Sequence, residues 1–239
     1  MIEDLHFDDN YRNVGVKLSG GADSAIVYYA VCDYYKDKPD TKVYAMTMGT
    51  KLKPWYPTGA KKLIDFVETL TGVRPADHYI HYQPDHVSIK DGEPYASGIN
   101  DMDAIAVEKF DLDAIYSGLT INPPEQELIT YFQENDFGLD FEWVMGNIEG
   151  RDKDRDTTEE PTMFTKRYGE KRVDRIRPFI NKNKRAVHTA YEIHNMMDVL
   201  YPQTYSCETV PADYDNMDFV HCGHCFFCLE RWWGFGRIV

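Results

Sequence analysis

Apolar and polar positions along the chain switch repeatedly between the two-residue period of a strand and the 3.6-residue period of a helix. Val14-Gly15-Val16-Lys17-Leu18 predicts a first strand running into a glycine-rich turn. Ile26, Val27, Ala30, Val31 and Tyr34 come next, at the spacing of one helix face. Val43–Met48 reads as a second strand, and the Pro/Gly stretch from Pro54 to Gly59 opens a helix carrying Leu63, Ile64, Val67 and Leu70. His78–Tyr82 is a third strand candidate. A helix at about 101–110 and a strand at Ala114–Gly118 continue the rhythm, and a further helix is expected over Lys184 to Leu200. Strands alternating with helices predict an α/β fold: a parallel, Rossmann-like sheet with helices on both faces.

Two stretches break the pattern. Residues 1–13 are polar and acidic and read as a weakly ordered lead-in without a targeting function. From Glu149 to Glu160 nearly every residue is charged or polar, which predicts a flexible loop; closure of that loop as a lid over a reactive site is a hypothesis the sequence leaves open. The expected organisation is therefore a lead-in (1–13), a nucleotide-type domain (14–200) and a C-terminal cysteine segment (201–239).

Composition narrows the setting. Over 239 residues, 43% are hydrophobic, enough to bury a core. The 40 acidic residues outnumber 26 Lys and Arg, for a net charge of −14, which repels a polyanionic backbone. Nucleic acid is not the expected partner. No apolar run reaches the length of a membrane span, so a cytoplasmic, membrane-free protein is expected; a homodimer is one expectation for its assembly.

The turn after the first strand reads Ser19-Gly20-Gly21-Ala22-Asp23-Ser24. At a strand-to-helix junction, backbone N–H groups and the positive helix end converge on an anion. Two glycines permit close approach and positive φ, and Ser19 and Ser24 add hydroxyl donors. Asp23 would repel phosphate without a cation between them, which assigns it to Mg²⁺. Neither a Walker loop nor a dinucleotide fingerprint is present. A plain connecting turn is the competing reading. The run resembles the signature loop of the N-type ATP pyrophosphatases, the PP-loop enzymes. That resemblance implies ATP split to AMP and pyrophosphate, with the β- and γ-phosphates held by the loop. Met48 and Gly118, at the ends of the second strand and the Ala114 strand, join the loop as candidate nucleotide contacts.

Cys207, Cys222, Cys225 and Cys228 read C-x14-C-x2-C-x2-C. Two short gaps and one long return suit a closed four-thiolate site, with Zn²⁺ the expected ion and an iron–sulfur cluster the alternative. His221 and His224 are flanking residues that could substitute. Cys32 reads as a small buried hydrophobe.

Further residues carry a closer resemblance. Thr204-Tyr205-Ser206-Cys207, then Cys222-Gly223-His224-Cys225-Phe226-Phe227-Cys228-Leu229-Glu230-Arg231, with Pro178 and Lys184 upstream, is similar to the 7-cyano-7-deazaguanine synthases. That family converts 7-carboxy-7-deazaguanine to its nitrile with ammonia and ATP. The resemblance implies a catalytic role for Lys184 in stabilising phosphate charge, a catalytic role for Arg231, and a bracing role for zinc. The chain departs from the family at Met48–Lys53, at Leu119–Glu125 and at Gly98-Ile99-Asn100, where the family has an arginine in the middle position. Sulfur transfer to tRNA, another adenylating enzyme with a different acceptor, and a nucleotide-binding protein without acceptor chemistry are the competing functions. His188 and His194 read as surface or packing residues, and Trp232, Trp233 and Phe235 as a C-terminal plug.

Overall fold

A computed structural model describes residues 2–50, 53–82, 93–135, 137–138, 141–149, 155, 157–207 and 220–238, without the side chains of 93–97, 141, 143 and 147. Six strands form one sheet: β1 (Asn13–Lys17), β2 (Lys42–Gly49), β3 (Asp77–Tyr82), β4 (Ala114–Tyr116), β5 (Met163–Tyr168) and β6 (Lys171–Ile176), in the order β3-β2-β1-β4-β6-β5. All pairings are parallel except the β5–β6 hairpin. After β1 the chain winds first toward β2 and β3, then crosses back to β4. The carboxyl ends of β1 and β4 therefore flank a topological switch point, where open α/β sheets form ligand crevices.

Helices cover both faces. On one, α1 (Ala22–Tyr35), α2 (Tyr56–Thr71) and α6 (Lys184–Ile193) enclose the main core around Val14, Val16, Ile26, Val31, Leu63 and Tyr191. On the other, α3 (Glu93–Phe110) packs Met102, Ala106 and Val107 on Tyr44, Met46, Met48, Ile115 and Val173. The alternation of β1 explains the split: Val14 and Val16 face α1, while Gly15 and Lys17 face α3. A third cluster joins α4 (Glu125–Glu134), α5 (Phe141–Glu149) and α7 (Phe226–Phe235) through Leu128, Phe132, Ile148, Leu229 and Trp233.

Several expectations are corrected. The N-terminal residues are packed rather than loosely held: Ile2, Leu5 and Tyr11 lie in the main core, Phe7 stacks on Tyr34, and Tyr11 donates to Asp174. Acidic residues interleave these apolar anchors and mask them in the sequence. The helix expected to reach Leu200 stops at Ile193, because Asn195 takes φ 56° and the chain turns. The β5–β6 hairpin was hidden because its outer positions are Lys, Arg and Asp; its signal is the Gly169-Glu170 turn, with Gly169 at φ 60°. Leu70 continues the stripe of α2 but lies in its last turn and is 39% exposed. Of the charged 149–160 segment, residues 150–154 and 156 lie outside the described residues, so the lid hypothesis does too. Among the described residues no helix is long and apolar enough to cross a membrane.

Candidate active site and metal centre

The loop between β1 and α1 is tied together by its own serines. Ser24 Oγ donates to the Gly21 carbonyl at 3.1 Å, Ser19 N donates to Ser24 Oγ at 3.2 Å, and Gly21 N donates to Ser19 Oγ at 3.4 Å. Gly20 is the residue with positive φ, at 93°; Gly21 is extended, at φ −80° and ψ 162°, which corrects the expectation that both glycines adopt the left-handed region. Its surroundings hold the loop in shape. Tyr205 N donates to the Gly20 carbonyl at 2.8 Å, so the C-terminal segment lies directly against it. Gly118 approaches from β4 so closely that a Cβ there would fall 2.4 Å from the Asp23 carbonyl carbon and oxygen. Only glycine fits this approach, which sets Gly118 directly against the start of α1. The Met48 side chain, at the carboxyl end of β2, is buried in the core beneath α3.

Asp23 sits in the first turn of α1, where the helix dipole favours a carboxylate. Its Oδ2 accepts from Lys184 Nζ and, at 3.3 Å, from Thr120 Oγ1. Its Oδ1 is buried and has no hydrogen-bond partner among the described residues. Lys184, 161 residues away in sequence, is buried. It opens α6 behind Asn183, whose side chain caps the helix by accepting from Arg185 N. A buried ammonium at the positive end of a helix is opposed by both desolvation and the dipole. Two carboxylates compensate: Asp23 and, 3.9 Å away, the fully buried Glu230. The approach of α7 to α6 makes this possible. A Cβ on Gly234 would fall 2.5 Å from Lys184 Cβ, so glycine lets α7 bring Glu230, one helical turn earlier, beside the ammonium.

Glu230 has a second cationic partner. Arg155 Nη2 donates to its Oε1 at 2.7 Å and also to Thr120 Oγ1 at 2.9 Å. Two cations and two carboxylates thus interlock around the end of β4. Sequence reasoning missed Glu230, Thr120 and Arg155. The available signal was Glu230, the one acid in the apolar run from Phe226 to Phe235.

Arg231 is fully buried and stacks on Tyr201, 4.2 Å from the ring centroid. Its Nη1 donates to Thr204 Oγ1 at 3.0 Å and Ser206 Oγ at 3.2 Å. Ser206 Oγ would lie 3.3 Å from a Cβ on Gly21, so Arg231 braces the strap that covers the loop.

The four cysteines converge, with all Sγ atoms within 4.8 Å of one another. Cys207 and Cys225 Sγ are 3.8 Å apart, and Cys222 and Cys228 Sγ 3.9 Å. Four sulfurs on a tetrahedron with metal–sulfur bonds of ~2.3 Å would be separated by roughly 3.8 Å. The set fits one tetrahedral ion. Backbone N–H groups of Cys222 and Cys225 point at Cys207 and Cys222 Sγ, at 3.4 and 3.3 Å, as donors that stabilise thiolates. Hydrogen bonds with Cys207 and Cys225, then burial, raise the Cys228 thiol above its usual range. The other cysteine, Cys32, is fully buried, and burial pushes its thiol up to about 12. His188 faces Phe235 and Glu192, and His194 faces Tyr29; both are packing residues.

The chain matches no protein-family model and no curated protein sequence. Among solved structures it is similar to the U34-tRNA thiolase NcsA from Methanococcus maripaludis, described with its [4Fe-4S] cluster. The TM-score is 0.46 at 16% identity, covering 98% of this chain and 71% of that one.

Proposed function

We propose that the protein is an adenylating enzyme of the ATP pyrophosphatase class. The observation that carries this reading is the meeting of Lys184 with Asp23 at the mouth of the glycine loop. A loop that only connected a strand to a helix would not require a buried cation recruited from α6. The loop N–H groups and the start of α1 bind the β- and γ-phosphates. Asp23 Oδ1, a buried carboxylate oxygen with no protein donor among the described residues, suits Mg²⁺, which when bound would neutralise phosphate charge. Lys184 stabilises the charge that grows on the α-phosphate and the departing pyrophosphate, an electrostatic task needing no proton transfer. Glu230 and Arg155 hold it in place.

Within that class we propose the 7-cyano-7-deazaguanine synthase type. The acceptor carboxylate attacks the α-phosphorus, the α–β bridge breaks, and an acyl adenylate and pyrophosphate result. Ammonia displaces AMP to give the amide and a proton. A second ATP activates the amide oxygen with release of a second pyrophosphate, and loss of AMP and the two amide protons leaves the nitrile. The supporting observation is the C-terminal segment: Thr204 and Ser206 are bonded to Arg231, and Cys207 joins the quartet, so one ion fixes the strap against Gly20 and Gly21. We assign Zn²⁺ to the quartet on the sulfur separations, with Arg231 as a positioning residue. Sulfur transfer to RNA would call for a reactive cysteine outside the quartet, whereas Cys32 is sealed in the core.

The test is incubation with Mg-ATP, ammonium and 7-carboxy-7-deazaguanine, with Asp23→Ala as control and products identified by mass spectrometry. AMP with amide or nitrile is expected. AMP without a modified heterocycle would overturn the acceptor, and no AMP would overturn the class.

A further inference from the structure

A second charged cluster lies on the opposite face of the sheet, outside the machinery above. Lys17, the last residue of β1, and Arg175 of β6 both project toward α3, where Asp103 meets them. Lys17 Nζ is 2.8 Å and Arg175 Nη1 2.7 Å from the same Asp103 oxygen, Oδ2. Asp103 is fully buried and Arg175 nearly so, with side-chain exposures of 0% and 9%. Arg175 Nη1 also donates to the Tyr168 hydroxyl. Lys166 flanks the cluster, its Nζ 3.2 Å from Asn100 Oδ1 at the start of the Asn100–Asp103 turn of α3.

The charges do not balance. Two cations share one carboxylate oxygen, with Lys166 adding positive potential nearby, in a chain whose net charge is −14. Arg175 Nε is buried with no acceptor among the described residues. Burial draws the Lys17 ammonium down to about 8, against the pull of Asp103 and aided by Arg175 and Lys166. Stability gives no reason for such a group, since well-packed apolar residues in place of a buried ion pair are often neutral or stabilising. Its location does. Lys17 stands two residues before Ser19, a distance of about 7 Å along an extended chain. It lies at the carboxyl edge of the sheet, beside the switch point between β1 and β4.

We propose that Lys17 and Arg175 form an anion subsite on the α3 face of this edge, and that its ligand is the carboxylate of the acceptor activated at the phosphate loop. The inference rests on the acyl-activation reading above. The surplus positive charge keeps the carboxylate ionised, hence nucleophilic, and sets one of its oxygens facing the α-phosphate.

The test is calorimetric titration of the full-length, metal-loaded protein with 7-carboxy-7-deazaguanine, its uncharged methyl ester, and Mg-ATP, for wild type, Lys17→Met and Lys17→Arg. A hydrogen-bonded charge pair predicts that wild type prefers the carboxylate over the ester by at least about tenfold. Lys17→Met is expected to erase that preference and Lys17→Arg to retain it, with Mg-ATP affinity unchanged and circular dichroism confirming both folds. Any of three results would overturn the proposal: Lys17→Met weakening Mg-ATP instead, the preference surviving in Lys17→Met, or no preference in wild type. AMP release is read separately. A carboxylate preference without AMP would sink the acyl-activation reading and leave the subsite standing, while nitrile formation with the preference intact in Lys17→Met would do the reverse.

Discussion

Gly118→Ala tests whether the close approach of the end of β4 to the glycine-rich loop and the start of α1 shapes the candidate site. The added methyl would lie 2.4 Å from the Asp23 carbonyl carbon and oxygen and 2.6 Å from Ser24 N, where ordinary contact begins at 3.4 Å. The obstacle is backbone in the first turn of α1, so no side chain can swing away, and the two elements must separate by about 1 Å. Overpacking of this kind costs about 1–3 kcal/mol. For a chain of this size that lowers Tm by about 2–12 °C. A displacement of that order between Asp23 and Lys184 costs roughly 100-fold in rate. Thermal melts and AMP formation are measured side by side, with Gly146→Ala as the control. Gly146 lies within α5 and a Cβ there meets nothing within 4 Å, so the control gains up to about 1 kcal/mol from helix propensity. If Gly118→Ala keeps both the wild-type Tm and the wild-type rate, β4 does not shape the loop and the account of Gly118 fails.

Lys184→Met is expected to cut AMP formation by about 100- to 1,000-fold while Mg-ATP still binds. Adding Asp23→Asn should cost less than the sum of the two single losses, because the pair shares one contact beside the separate Mg²⁺ role of Asp23; fully additive losses in steady-state kinetics would refute the pairing. Elemental analysis of the purified protein should find one zinc per chain, lost in Cys207→Ser together with a lowered Tm; several irons per chain would refute the single-ion assignment. The folded pKa of Lys17, about 8, lies below its ordinary 10.5, so the unfolded chain binds more protons between these values and stability rises with pH across that window. Lys17→Met, which leaves Asp103 its Arg175 partner, should therefore melt no lower than wild type at pH 7, with any advantage shrinking toward pH 10. An advantage that grows with pH would contradict the burial of this ammonium.

The placement of the glycine-rich loop between a strand and a helix and the convergence of the four cysteines were legible because each is local. Ser19 to Ser24 must succeed a strand and open a helix, both of which the Val14–Leu18 alternation and the Ile26–Tyr34 stripe announce. The gaps between Cys222, Cys225 and Cys228 are themselves the geometry of a metal knuckle. The alternation of strands and helices likewise fixed the α/β class. Features that arise from contact between distant segments were not legible. Glu230 reads as a spacer between a cysteine and an arginine until Gly234 lets α7 settle on α6 and turns it toward Lys184. Arg155 reads as one charge in a run of charges until it reaches Glu230 and Thr120. Lys17 reads as the polar half of a strand alternation, although its face of the sheet is covered by α3. In each case the residue type shows that a charge is present, while burial and the partner, which set what the charge can do, depend on strand order and helix crossings that no local pattern encodes.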